Sequence, residues 1–157
     1  VHKGVPMISY QLSIFAENKP GRLAAVTRVL AREKINIRAT TISTSDTFGV
    51  INLIVDDPAR AEKVLTKAGM TVSLSQVLAV VIPDQPGGLD RLTQLLFAEN
   101  VNINNAYGFV LEGHQKAVFV VSVDQIEKAE ALLEKNGFQT LDAEALSAIE
   151  PFHYMKY

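Results

Sequence analysis

"AENKPGRLAAVTRVL" (Ala16 to Leu30) and "IPDQPGGLDRLTQLL" (Ile82 to Leu96) are two versions of one pattern. Pro20 aligns with Pro86, Gly21 with Gly87, Leu23 with Leu89 and Thr27 with Thr93. Each copy follows an apolar, strand-like run and precedes apolar residues at helical spacing. A Pro-Gly pair between two such runs is a turn signal, and a turn used twice indicates a repeated fold unit.

The repeat extends beyond the turn. "INI" at Ile35 to Ile37 returns as "VNI" at Val101 to Ile103, and "VDDPARAEKVLTKAG" from Val55 returns as "VDQIEKAEALLEKNG" from Val123. The chain is therefore one unit of roughly seventy residues used twice, near the lower limit for an independent domain. The expected boundaries are residues 7–76 and 77–146, with a tail at 147–157.

Within the first unit, "YQLSIFA" places Leu12, Ile14 and Ala16 on one face and Gln11 and Ser13 on the other, a half-buried strand. Pro20 suits an early helical position. Leu23, Val26, Val29 and Leu30 form an apolar helical stripe ending near Glu33 to Asn36. "IRATTIST" and "FGVINLIV" read as strands of a hairpin turned by "SDTFG". Asp57-Pro58 opens a second helix with Ala61, Val64, Leu65 and Ala68 inward, stopped by Gly69.

"MTVSLSQ" is the closing strand, and it runs without a linker into "VLAVVIP", the first strand of the second unit. There Leu89, Leu92 and Leu96, then Phe119, Val121 and Val123, then Ala129, Leu132 and Leu133 repeat the scheme. The fold class is α+β: two tandem ferredoxin-like βαββαβ units, each an antiparallel sheet with helices on one face.

Composition narrows the function classes. A 157-residue chain with 48% hydrophobic and 20% charged residues has a globular composition, and a net charge of −2 without a basic run argues against nucleic-acid binding. No cysteine is present, which removes thiolate chemistry, disulfides and cysteine-ligated metals. The apolar runs are strand-length and no secretory leader is seen, so the expectation is a cytoplasmic protein without membrane association.

A strand, then Asn/Asp-x-Pro-Gly-x-Leu opening a helix, then Val/Ile-Asn-Ile before the next strand, resembles the ACT domain. That module is the regulatory amino-acid-binding unit of many biosynthetic enzymes. The resemblance covers about Met7 to Ala145, twice, and the whole chain is similar to stand-alone tandem ACT proteins. It implies a non-catalytic protein without a cofactor that binds an amino acid where two units lie side by side. The strand-to-helix loop of one unit then faces the Asn-bearing strand start of its neighbour.

Carried over by motif position, the implied ligand residues are Asn18, Lys19, Pro20, Gly21, Arg22, Leu23, Asn36 and Ile37. In the second unit they are Asp84, Gln85, Gly87, Gly88, Leu89, Asn102 and Ile103. The physical chemistry of the loop agrees with a carboxylate ligand: a residue without Cβ lets a ligand approach the main chain, beside the free N–H groups and positive end of a helix. Asp84 in place of Asn18 disfavours a carboxylate, so unequal sites are expected, with the one at Gly21 better suited. Some serine-binding relatives carry a histidine where this chain has Ala16 and Ile82, so serine is not the obvious ligand.

The same residues also have a purely structural reading. Asn36 and Asn102 serve equally to satisfy backbone groups at a strand start. Arg22, opposite Gly88, reads as a solvated helix residue, and Tyr107 and Phe109 read as packing residues.

His2, His114 and His153 are scattered, which gives neither a metal set nor a catalytic triad. Arg22 and Asn36 match the acylphosphatase pair only superficially, and "GVINLIV" lacks the stacking aromatics of an RNA-binding sheet. Two expectations follow. One is an amino-acid sensor that acts through assembly with an enzyme or regulator; the other is a ligand-free oligomeric regulatory subunit of a biosynthetic enzyme. Either is expected to be a homodimer, because the edge strands of such sheets need covering.

Overall fold

A computed structural model describes residues 7–111 and 115–148, which divide into two units. Residues 10–75 form the N-terminal unit; residues 76–148, with 7–9, form the C-terminal unit.

In the N-terminal unit β1 (Ser9–Glu17) leads to α1 (Arg22–Arg32), β2 (Ile37–Thr44), β3 (Phe48–Val55), α2 (Pro58–Lys67) and β4 (Thr71–Pro83). The strand order is β2-β3-β1-β4, and β3 is antiparallel to both β1 and β2. Alternation along β1 and β3 sends Leu12, Ile14, Ile51, Leu53 and Val55 to the helix side. There they pack on Val26 and Leu30 of α1 and on Ala61 and Leu65 of α2. On the other sheet face, Ser13 Oγ donates to Asn52 Oδ1 at 2.7 Å across the β1/β3 register.

Helix α2 starts as its sequence requires: the Asp57 side chain accepts the Arg60 N–H, and Pro58 occupies a position whose N–H would lack a partner. Arg60 also bridges to Glu33 at the end of α1, 3.0 Å away. The inward stripe is narrower than its periodicity suggests, because Ala68 follows the helix as its C-terminal cap and is exposed.

The C-terminal unit repeats the plan. Strand β4 continues directly into this unit and is followed by α3 (Gly88–Ala98), β5 (Ile103–Val110), β6 (Lys116–Val123), α4 (Ile126–Lys135) and β7 (Gln139–Leu141), in the order β7-β4-β6-β5. Its core joins Leu78, Val80 and Ile82 to Leu92, Leu96, Val121, Ala129 and Leu133. Leu89 is 39% exposed, contrary to its place in the expected stripe, because it lies on the first turn of α3. A short α5 (Ala143–Ser147), absent from the sequence reading, is capped by Asp142 accepting the Ala145 N–H. Residues 149–157 of the tail and all three histidines lie outside the described residues.

One carboxylate in this unit is poorly placed. Glu130 Oε2 is buried without a hydrogen-bond partner. Desolvation, then the charges of Glu134 and Glu127, push its pKa above the ordinary value. Between the unfolded and folded pKa values the folded state holds a proton that the unfolded chain has released, and stability falls as pH rises through that interval. Glu130→Gln is expected to raise the melting temperature at pH 7.5 and to leave it nearly unchanged at pH 4, as thermal denaturation across that range would record.

Candidate ligand site at the Pro-Gly loops

The repeated Pro-Gly pair is a type II turn. Lys19-Pro20-Gly21-Arg22 closes with the Arg22 N–H donating to Lys19 O at 3.4 Å, and Gly21 has φ 88° and ψ −6°. Gln85-Pro86-Gly87-Gly88 does the same, with Gly88 N–H to Gln85 O at 3.0 Å and Gly87 at φ 87° and ψ −13°. The third residue of this turn needs a positive φ, which selects glycine. Pro20 therefore lies before the helix, not within it, because the turn takes it as its second residue and α1 begins only at Arg22.

Neither α1 nor α3 has a side-chain hydrogen bond capping its first turn. After Arg22 and Gly88, whose N–H groups close the turns, the next amides of each helix have no side-chain cap and lie at the positive end of the helix dipole. On the N-terminal unit this end is ringed by charge. Lys19 pairs with Glu17, and Arg22 Nη2 stands 3.9 Å from Glu17 Oε2. The hydrogen bond from Lys19, reinforced by the charges of Lys19 and Arg22, holds the Glu17 carboxyl below the usual carboxylate range. Two cations against one carboxylate leave the rim net positive.

Below this rim is a pocket of about 120 Å³. Asn18, Lys19, Arg22 and Leu23 line it, as expected for a loop site, and so do Ala16, Glu17, Ile42, Thr44, Gly49 and Ile51, which the sequence reading did not select. The latter group is assembled by register: Ala16 faces Gly49 across β1/β3, and Ile42 faces Ile51 across β2/β3. The loop is tied to the same hairpin by Asn18, whose backbone N–H donates to Thr47 O at 2.9 Å and whose Nδ2 donates to Ser45 O at 3.3 Å. Asn18, one of the implied ligand residues, thus uses its side-chain amide to position the loop.

Asn36 and Ile37 are at the opposite end of β2 from Thr44, a separation of roughly 25 Å for a strand of this length. Within the unit they do not reach the pocket. The Asn36 backbone instead exchanges hydrogen bonds with Asp56, its N–H donating to Oδ1 at 3.1 Å and its carbonyl accepting the Asp56 N–H at 3.1 Å. Asn102 repeats this with Asp124, at 3.0 and 3.2 Å, and its Nδ2 donates to Asn104 Oδ1. A register shift follows both, between Ile37 and Ala39 and between Ile103 and Asn105. The repeated Asn-Ile motif therefore marks a strand start followed by a bulge.

In the second unit Asp84, Gln85, Gly87 and Leu89 are exposed, whereas Gly88 is buried. Tyr107 and Phe109 are half-buried on β5, and burial raises the Tyr107 phenol well above its usual pKa. Among the described residues no group of three or more His, Asp or Glu could hold a metal ion, and no helix is long and apolar enough to cross a membrane.

Two ferredoxin-like units, each launching its first helix from a Pro-Gly turn, place the protein among tandem small α+β domains. The chain belongs to the ACT domain pair family, whose model matches residues 7–150. This is a regulatory rather than a catalytic domain family. A crystallised protein of Bacteroides thetaiotaomicron is 36% identical, with a TM-score of 0.86 over 91% of this chain and 98% of that one. The ligand-free regulatory subunit of aspartate kinase from Thermus thermophilus shares the fold at 15% identity and a TM-score of 0.58, covering 80% of this chain and 91% of that subunit. No curated protein matches the sequence.

Proposed function

We propose that this chain is a non-catalytic regulatory protein that binds an amino acid at the Pro-Gly loop of its N-terminal ACT unit and signals through assembly with a partner enzyme or regulator. The observation that carries this reading is the pocket lined by Glu17, Lys19 and Arg22, where apolar side chains meet a net positive rim at the uncapped start of α1. An α-amino acid offers the complementary groups: a carboxylate for the helix end and the cations, an ammonium for Glu17, and a side chain for the floor.

At about 120 Å³ the pocket is smaller than a typical closed ligand site of roughly 300 Å³ or more. A second chain covering its mouth would complete the site and make occupancy depend on assembly, giving the ligand the preference for one state that regulation requires. The assembly we propose is a homodimer in the cytoplasm. Titration calorimetry with each proteinogenic amino acid, paired with light scattering with and without the bound one, tests the reading. Binding accompanied by a change in assembly supports it. Absence of heat with all of them overturns it and leaves the ligand-free oligomeric subunit.

A further inference from the structure

The two units act as each other's control. Aligning them through the Pro-Gly turn and the sheet register shows what became of the pocket in the second copy. Ala16 corresponds to Ile82, which is 5% exposed within the C-terminal core. Gly49, the cross-strand partner of Ala16, corresponds to Ala117, the partner of Ile82. Ile51, opposite Ile14, corresponds to Phe119, opposite Val80. Every one of these replacements adds volume to the same place.

Phe119 also has its room prepared. Gly108 is its neighbour on β5, at the position that Ile42 holds on β2, and a Cβ on Gly108 would come within 2.8 Å of Phe119 Cδ2. The ring takes the room that a side chain at the Ile42 position would need, beside the counterpart of the N-terminal pocket. The rim has changed in parallel: Glu17, Lys19 and Arg22 become Pro83, Gln85 and Gly88. Gly88 approaches the Pro83 carbonyl so closely that a Cβ there would lie 2.1 Å from its oxygen. The second loop lacks these three charges, carries Asp84 in place of Asn18, and leaves no room for a side chain at Gly88.

We infer that the units have divided their roles: the N-terminal pocket takes the side chain of a bound amino acid, and the C-terminal unit occupies the equivalent place with its own Phe119. This rests on the amino-acid reading above and adds the class of ligand. The floor formed by Ala16, Leu23, Ile42 and Ile51 carries no charge, so a charged side chain would lose its hydration there without gaining a partner. The small volume, about 120 Å³, favours a short side chain over an aromatic one. The ligand is an α-amino acid with a short aliphatic side chain, in the range from valine to leucine and isoleucine. Ala16, Gly49 and Ile51 determine that specificity by their size.

Calorimetry on the intact chain tests this with valine, leucine, isoleucine, aspartate, lysine and phenylalanine, together with isovalerate, which lacks the ammonium, and isobutylamine, which lacks the carboxylate. The expected result is one aliphatic amino acid bound per chain, with both single-charge analogues far weaker. Ala16→Ile, which copies the second unit, should weaken binding by about 30-fold, within the range that small changes in an apolar pocket produce. An unchanged melting temperature would show that this variant is folded, and the analogue series on the unaltered protein stands without it. Two ligands per chain, a preference for charged or aromatic amino acids, or unaltered binding by Ala16→Ile would overturn the division of roles while leaving an amino-acid sensor in place. No binding of any amino acid would instead remove the reading on which it rests.

Discussion

Replacing Gly88 by alanine is expected to lower the melting temperature of the C-terminal unit by roughly 10 °C, although the change adds a single methyl group to a surface loop motif. Gly88 has an ordinary backbone conformation, so glycine is not kept there for its φ. It is kept because a Cβ would meet the Pro83 carbonyl oxygen at 2.1 Å, and that oxygen belongs to the backbone at the end of β4 and accepts the Gln85 N–H. Neither partner is the free end of a flexible side chain, so relief requires moving the turn or the helix start. Overpacking of this kind costs about 1–3 kcal/mol, and a contact this short points to the upper end. For a chain of this size each kcal/mol displaces the midpoint by roughly 2–4 °C. Arg22, the counterpart in the first unit, should accept alanine without a comparable loss. Thermal unfolding of Gly88→Ala beside Arg22→Ala checks the contrast, and equal midpoints would contradict it.

Gly21→Val is expected both to destabilise the N-terminal unit by about 2–3 kcal/mol and to abolish ligand binding at accessible concentrations. The cause is the opposite of that at Gly88. A Cβ on Gly21 would meet nothing within 4 Å, so the cost is not a clash with neighbours. It comes from φ 88°, which a β-branched residue avoids and which the type II turn cannot surrender. Asparagine tolerates such angles better, so Gly21→Asn should recover most of the stability. Because the turn places Lys19 and Arg22 on either side of Gly21 at the pocket, a valine that distorts it should cost affinity beyond its effect on folding. Denaturant unfolding of the three proteins, with calorimetry on each under folded conditions, separates the two losses. Full affinity in a folded Gly21→Val protein would show that the turn geometry is not needed for binding.

Much of the fold was legible because its signals are local. The apolar run "FGVINLIV" coincides with β3 at both ends, and Asp57-Pro58 starts α2 where a capping side chain and a proline belong. The errors were local as well. Proline suits both the start of a helix and the second position of a turn, and at Pro20 the glycine after it decides for the turn. Leu89 and Ala68 fit an apolar stripe but fall at helix ends, where the sheet no longer covers them. The short α5 offered too few residues for a period to be recognised.

The candidate site divides along the same line. By itself the sequence determined that one βαββαβ unit is used twice, that each copy turns on Pro-Gly into an uncapped helix, and that the first loop alone carries Glu17, Lys19 and Arg22. These are properties of neighbouring residues, and neighbours in a chain are visible in its order. Only the tertiary structure decided that Ile42, Thr44, Gly49 and Ile51 stand beside that loop, that Asn36 is held by Asp56 at the far end of its strand, and that Phe119 lies over Gly108 in the second unit. Those pairings depend on which residue faces which across a sheet, and a shift of register by one residue would have exchanged the floor of the pocket for the opposite face.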